Sequence, residues 1–147
     1  MKAALIKKLF MLTGILCVTL YSRAQNPENW TGKQLIEPSE LAKILNSKKD
    51  LPVIISVGPA ATIPHSIDIG MVKDKANLDK LKNELKKLPK QSKVIVYCGC
   101  CPFERCPNVR PAIDVLKKMN FTNYYLLNLP NNIKKDWIDK GYPVSKM

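Results

Sequence analysis

Two apolar runs, PVIISVG at 52–58 and KVIVYC at 93–98, are continuous rather than alternating. A strand covered on both faces has this pattern, because neither side of its pleat meets water. Elsewhere the period changes. NLDKLKNELKKL sets Leu78, Leu81, Leu85 and Leu88 on one stripe, which predicts an amphipathic helix. LIEPSELAKILNS reads as a short strand and then a helix, with Ser39 as N-cap and Leu41, Ile44 and Leu45 at helical spacing. A short strand is expected around 66–69. Residues 108–119 (NVRPAIDVLKKM) come next as a helix with Ile113, Leu116 and Met119 inward, where Pro111 fits because it lies in the first turn. TNYYLLNL is the next strand, and NNIKKDWIDKG a last short helix stopped by Gly141. Strands alternate with helices throughout. The pattern predicts a three-layer α/β domain, a mostly parallel central sheet with helices on both faces, over 35–147. Residues 25–34 form a polar N-terminal arm, and no repeat or second-domain linker is seen.

The first 24 residues have another pattern. MKAALIKK is a basic start, and LFMLTGILCVTL is an apolar core too short to span a membrane comfortably. Ser22 and Ala24 then occupy the small-residue positions of a cleavage site. The expectation is a signal peptide over 1–24, a mature chain from Gln25, and export to the periplasm or beyond the cell, where conditions are oxidising. Cys17 lies in the apolar core behind Leu16, where a lipoprotein signal carries a small residue, so it is expected to leave with the signal peptide. Cleavage removes Lys2, Lys7, Lys8 and Arg23 and no acid, taking the formal charge from +12 to +8. Most remaining lysines fall on polar helix faces, with no aromatic strip between them. A solvated surface is expected, with no nucleic-acid partner and no stable membrane insertion after cleavage. The remaining length can bury a core without crosslinks.

Four of the five cysteines lie in CGCCPFERC: Cys98, Cys100, Cys101 and Cys106. The loop begins at the carboxyl end of a predicted strand and runs into a helix, which is where open α/β sheets bind ligands. Three chemistries fit such a loop. One thiol could act as a nucleophile with the others as resolving or accessory thiols, and Cys98 to Cys101 has the C-x-x-C spacing of reversible disulfides. One or two structural disulfides could rigidify the loop. Four thiolates also suit a soft ion such as Cu(I) or Zn(II), although structural zinc sites usually offer two separated knuckles and this chain has one cluster. His65, the single histidine, reads as a surface loop residue, Glu104 as a solvated loop acid, and Trp30 and Trp137 as packing residues. Pro102 and Pro107 stiffen the loop by fixing φ.

The order of these features resembles a single-domain rhodanese of the sulfurtransferase-like fold, from about Leu35 to Val144. LIEPSELAKIL is similar to the opening strand and helix. TIPHSIDIG is similar to the family's His-Ile-Pro-Gly-Ala-Ile-Asn segment, VIVYC to the strand that delivers the catalytic cysteine, and DWIDKGYPV to the terminal Trp…Gly-Tyr-Pro-Val. The resemblance implies cysteine-dependent sulfur transfer through a persulfide, with no cofactor beyond that persulfide. Its partners would be a small sulfur-containing anion, a thiol acceptor or a redox protein. It also implies that Cys98 is the first nucleophile, from its place after Tyr97. Two other cues compete: Cys100 has Arg105 five residues on, and Cys106 adjoins the helix start, where the dipole favours a thiolate. Arg105 or Arg110 would hold an anionic donor. The chain departs from the family where Ser56 and Gly58 replace an acid and an arginine, and where the active loop is enlarged. Thiosulfate:cyanide transfer as such is therefore not implied.

Overall fold

The computed structural model describes residues 30–145. The expected signal peptide, Cys17 and the start of the polar arm lie outside the described residues. Five strands form one sheet: β1 (Leu35–Ile36), β2 (Val53–Ser56), β3 (Ser66–Asp68), β4 (Val94–Tyr97) and β5 (Tyr124–Leu127). Their order is β1-β5-β4-β2-β3, and every pairing is parallel. Four α-helices join or succeed them: α1 (Pro38–Ser47), α2 (Lys75–Lys86), α3 (Val109–Lys118) and the single-turn α4 (Ile133–Asp136). None of the described helices is long and apolar enough to cross a membrane.

The continuous apolar runs are explained by the two layers that cover the sheet. Side chains alternate along a strand. Val94, Val96 and Cys98 therefore face the layer built by Leu81 and Leu85 of α2 and by Val109, Ile113 and Leu116 of α3. Ile95 and Tyr97 face the opposite layer, with Leu41 and Leu45 of α1 and with Trp137. All four residues of β4 are buried, as expected for the central strand of such a sheet. Leu78, Leu88 and Met119 pack on the rim of the first layer.

One boundary moves. Ser39 does not cap α1; Glu37 is the N-cap and Pro38 the first helical residue. Proline has no N–H to lose and a φ already suited to the first turn, so the helix starts two residues earlier than the hydroxyl suggests. The Glu37 carboxylate accepts a bond from Asn128 Nδ2 at 2.7 Å, tying α1 to the strand end beyond β5. Gly141, with φ +71°, stops the last turn in the left-handed conformation glycine tolerates. The lysine faces are solvated as expected: Lys75 and Lys82 flank Asp79, and Lys87 meets Glu84, on the outer surface of α2 or just past it. Such pairs contribute little to stability.

Candidate active site

The connections leaving β2 and β4 run in opposite directions, to β3 on one side and to β5 on the other. The crevice between their carboxyl ends is thus the switch point of the sheet. Ser56 pairs with Tyr97, and Val57 N donates to Tyr97 O at 2.9 Å, so the two strands end side by side. Just past these ends, Gly58 on one chain segment meets Cys98 on the other. A Cβ on Gly58 would stand 2.9 Å from Cys98 Sγ and 3.3 Å from Gly99 N. The glycine in the place of the family's arginine is therefore the space into which the sulfur fits.

The loop from 98 to 108 folds back on itself. Gly99 O accepts from Ile133 N at 3.0 Å, and the Ile133 side chain covers the place a Gly99 side chain would take. Phe103 is buried, its N donating to Leu129 O at 3.3 Å, and it begins a 3-10 turn over Phe103–Arg105. This turn reverses the chain and returns Cys106 to the sulfur of Cys98. All four Sγ atoms lie within 4.8 Å of one another. Cys98 and Cys100 sulfurs are 3.4 Å apart, and those of Cys100 and Cys101 3.3 Å. All four are free thiols. Cys98 and Cys106 are buried, Cys101 is half-buried, and Cys100 is exposed.

Asn108 is the residue sequence reasoning missed. It stands at the N-cap of α3 but makes no side-chain cap bond. Its Oδ1 accepts from Lys73 N at 3.0 Å, which turns Nδ2 toward Cys98 Sγ at 3.7 Å. It is only 2% exposed. An asparagine before a helix reads as a cap, and nothing local reveals that its amide is spent on a strand-end sulfur.

The negative charge of the cluster belongs on Cys106. A hydrogen bond from Cys98, backbone N–H groups of Asn108 and Val109, and the Cys101 thiol outweigh burial and lower its thiol to about 5. The start of α3 presents unpaired amides and the positive end of the helix dipole at that point. Cys98 moves the other way: its bond to Cys106 and its burial hold it protonated. Burial, with the Cys100 thiol beside it, pushes Cys101 up to about 12.

The two arginines are placed differently. Arg110 lies 5.7 Å above the Trp30 ring and donates to Glu104 O at 3.3 Å, so it buttresses the loop. Arg105 is exposed, at the end of the 3-10 turn. His65 is exposed as expected, with φ +63° in the turn before β3.

Structural neighbours have this same arrangement of layers. A crystal structure of a protein from Lactobacillus plantarum aligns with TM-score 0.57 at 16% identity, covering 95% of this chain and 98% of that one. The solution structure of a rhodanese-like domain from Anabaena aligns at 0.55 with 14% identity, over 78% of this chain and 80% of the other. This chain has the rhodanese-like fold. A single-domain sulfurtransferase from Saccharomyces cerevisiae also matches, at 0.53 and 16% identity, over 76% and 95% of the two chains. No family model matches the sequence, and no curated protein matches it. Likeness at these identities shows the rhodanese-like fold alone.

Proposed function

We propose that this rhodanese-like domain is a cysteine-dependent sulfur carrier whose reactive centre is the four-thiol cluster. One observation carries the reading. Four uncrosslinked thiols sit at the carboxyl end of the central strand, with one of them favoured as a thiolate by a hydrogen bond from Cys98 and by the first amides of the succeeding helix. A thiolate there attacks the outer sulfur of a sulfane donor. A new S–S bond forms, the donor's bond to that sulfur breaks, and its electron pair leaves with the rest of the donor. A nucleophilic acceptor, such as a thiolate, then takes the sulfur and restores the cysteine thiolate. There is no net oxidation, so no further oxidant is required. The backbone amides that favour a Cys106 thiolate would equally favour an anionic persulfide. Exposed Cys100 is the thiol a donor meets first, and exposed Arg105 can draw an anionic donor to it.

A second reading, thiol redox chemistry, is favoured by the 3.4 Å between Cys98 and Cys100 sulfurs, since joining them needs a movement of little more than an ångström. The signal-like pattern of residues 1–24 supports an exported setting for either reaction.

The test is sulfur uptake. Reduced protein is mixed with polysulfide or thiosulfate and examined by intact mass after alkylation, with cyanolysis of the adduct. One sulfur atom per chain is expected, retained on a thiol and released by cyanide or a thiol acceptor. Cys106→Ser is expected to lose the adduct, and Cys100→Ser to slow its formation. Unchanged mass with every donor overturns the proposal.

A further inference from the structure

We propose that the same four cysteines form a tetrahedral tetrathiolate site for a soft divalent ion of the zinc type. This inference goes beyond sulfur transfer and does not rest on it. A zinc ion bound at about 2.3 Å by four sulfurs holds them about 3.8 Å apart. Here two neighbouring pairs stand at 3.3 and 3.4 Å, and no pair exceeds 4.8 Å. Movements of about an ångström or less would bring all four onto one ion. The donor set is sulfur alone, which selects soft or borderline ions over calcium and magnesium.

The surroundings fit a bound thiolate cage. Zinc and four thiolates carry a net double negative charge, and such sites depend on N–H groups aimed at the sulfurs. Cys98 receives Asn108 Nδ2 and the Cys100 backbone N–H. Cys106 receives the N–H groups of Asn108 and Val109. Asn108 serves both buried ligands and is itself held by Lys73 N. The missing side chain at Gly58 leaves room for the Cys98 sulfur, and Phe103 and Ile133 pack the loop from outside. The expectation of two knuckles does not apply, because the 3-10 turn brings Cys106 back over the strand end and one loop encloses the ion.

Binding releases the protons still on the thiols, and a sulfur whose charge is shared with the metal is a weaker nucleophile toward a sulfur donor. Metal occupancy and persulfide loading therefore compete for the same sulfurs, and metal would set how much of the protein is open to sulfur.

Co(II), whose tetrahedral thiolate complexes are coloured, is the first probe, added to reduced, metal-free full chain. One Co(II) per chain is expected, with the intense visible bands of a tetrahedral tetrathiolate and displacement by one equivalent of Zn(II). Cys100→Ser alters an exposed residue and should leave the fold intact by circular dichroism. It is expected to weaken Zn(II) binding roughly 100-fold and to change the cobalt spectrum. No cobalt bands, a weak octahedral spectrum, an undiminished Cys100→Ser, or binding of Cu(I) alone would each overturn the site. Sulfur uptake measured on the same preparation separates the two proposals. Uptake without metal binding sinks only the metal site, metal binding without uptake sinks only sulfur transfer, and uptake undiminished by stoichiometric zinc sinks their competition.

Discussion

At the scale of single residues, the site depends on atoms that are absent as much as on those present. Gly58 contributes nothing chemical, yet it decides where Cys98 Sγ can be. Gly58→Ala would push a methyl group to 2.9 Å from that sulfur, with the Gly99 backbone close behind. The expected cost is about 1–3 kcal/mol, from overpacking a buried site. Chemical denaturation of the reduced protein measures it, and an unchanged midpoint would show that the cluster yields more easily than its packing implies. The sequence displayed Gly58 only as a missing arginine. Its spatial role needed the register between β2 and β4. The cysteines themselves were legible, because thiols concentrated in one loop are visible without any coordinates. Their order of reactivity was not. Strand position favoured Cys98 and the approaching helix favoured Cys106, and the hydrogen bond from Cys98 with the amides at the start of α3 favours the charge on Cys106.

At the scale of elements, α3 adds its amides to the hydrogen bond from Cys98 in favouring a thiolate at Cys106. Its first turn supplies amides to Cys106, and its N-cap residue supplies an amide to Cys98. Asn108→Ala would leave Lys73 N without its acceptor and Cys98 without its donor. A loss of about 1–3 kcal/mol is expected. Asn108→Asp keeps an acceptor for Lys73 but places a carboxylate beside the sulfur. Its thiol alkylation profile is expected to shift to higher pH, while Asn108→Ala shifts it less. Identical profiles would remove Asn108 from the chemistry and leave it a packing residue. The elements were well read from periodicity: every strand and helix expected from the pattern has a counterpart among the described residues. The start of α1 was misplaced because a serine hydroxyl and a proline ring both signal a helix start, and the ring's fixed φ prevailed at Pro38.

At the scale of the whole molecule, the cluster couples folding to protonation. Cys106 titrates at about 5 when folded, against 9.0 for an ordinary thiol. Between those values the unfolded chain holds a proton the folded chain has released, so stability rises with pH. Cys98 and Cys101 are raised, so above about 9 the unfolded chain loses protons the folded one keeps, and stability falls again. Reduced, metal-free protein is thus expected to be most stable near pH 9, about the ordinary thiol value. Denaturant midpoints across roughly pH 5–10 test this, with Cys106→Ser expected to flatten the rise; an equal rise in that variant would assign it to other groups.

The sequence by itself determined the layered α/β architecture, because apolar runs and amphipathic stripes leave each element few ways to bury its surface. It also determined that four cysteines would gather at a strand end. Tertiary structure alone decided that Gly58 makes room for the Cys98 sulfur, that Asn108 turns its amide to that same atom, and that Cys106 returns to it. Those relations join residues from separate connections of the sheet, and only the packing of β2 beside β4 beneath α3 brings them within reach.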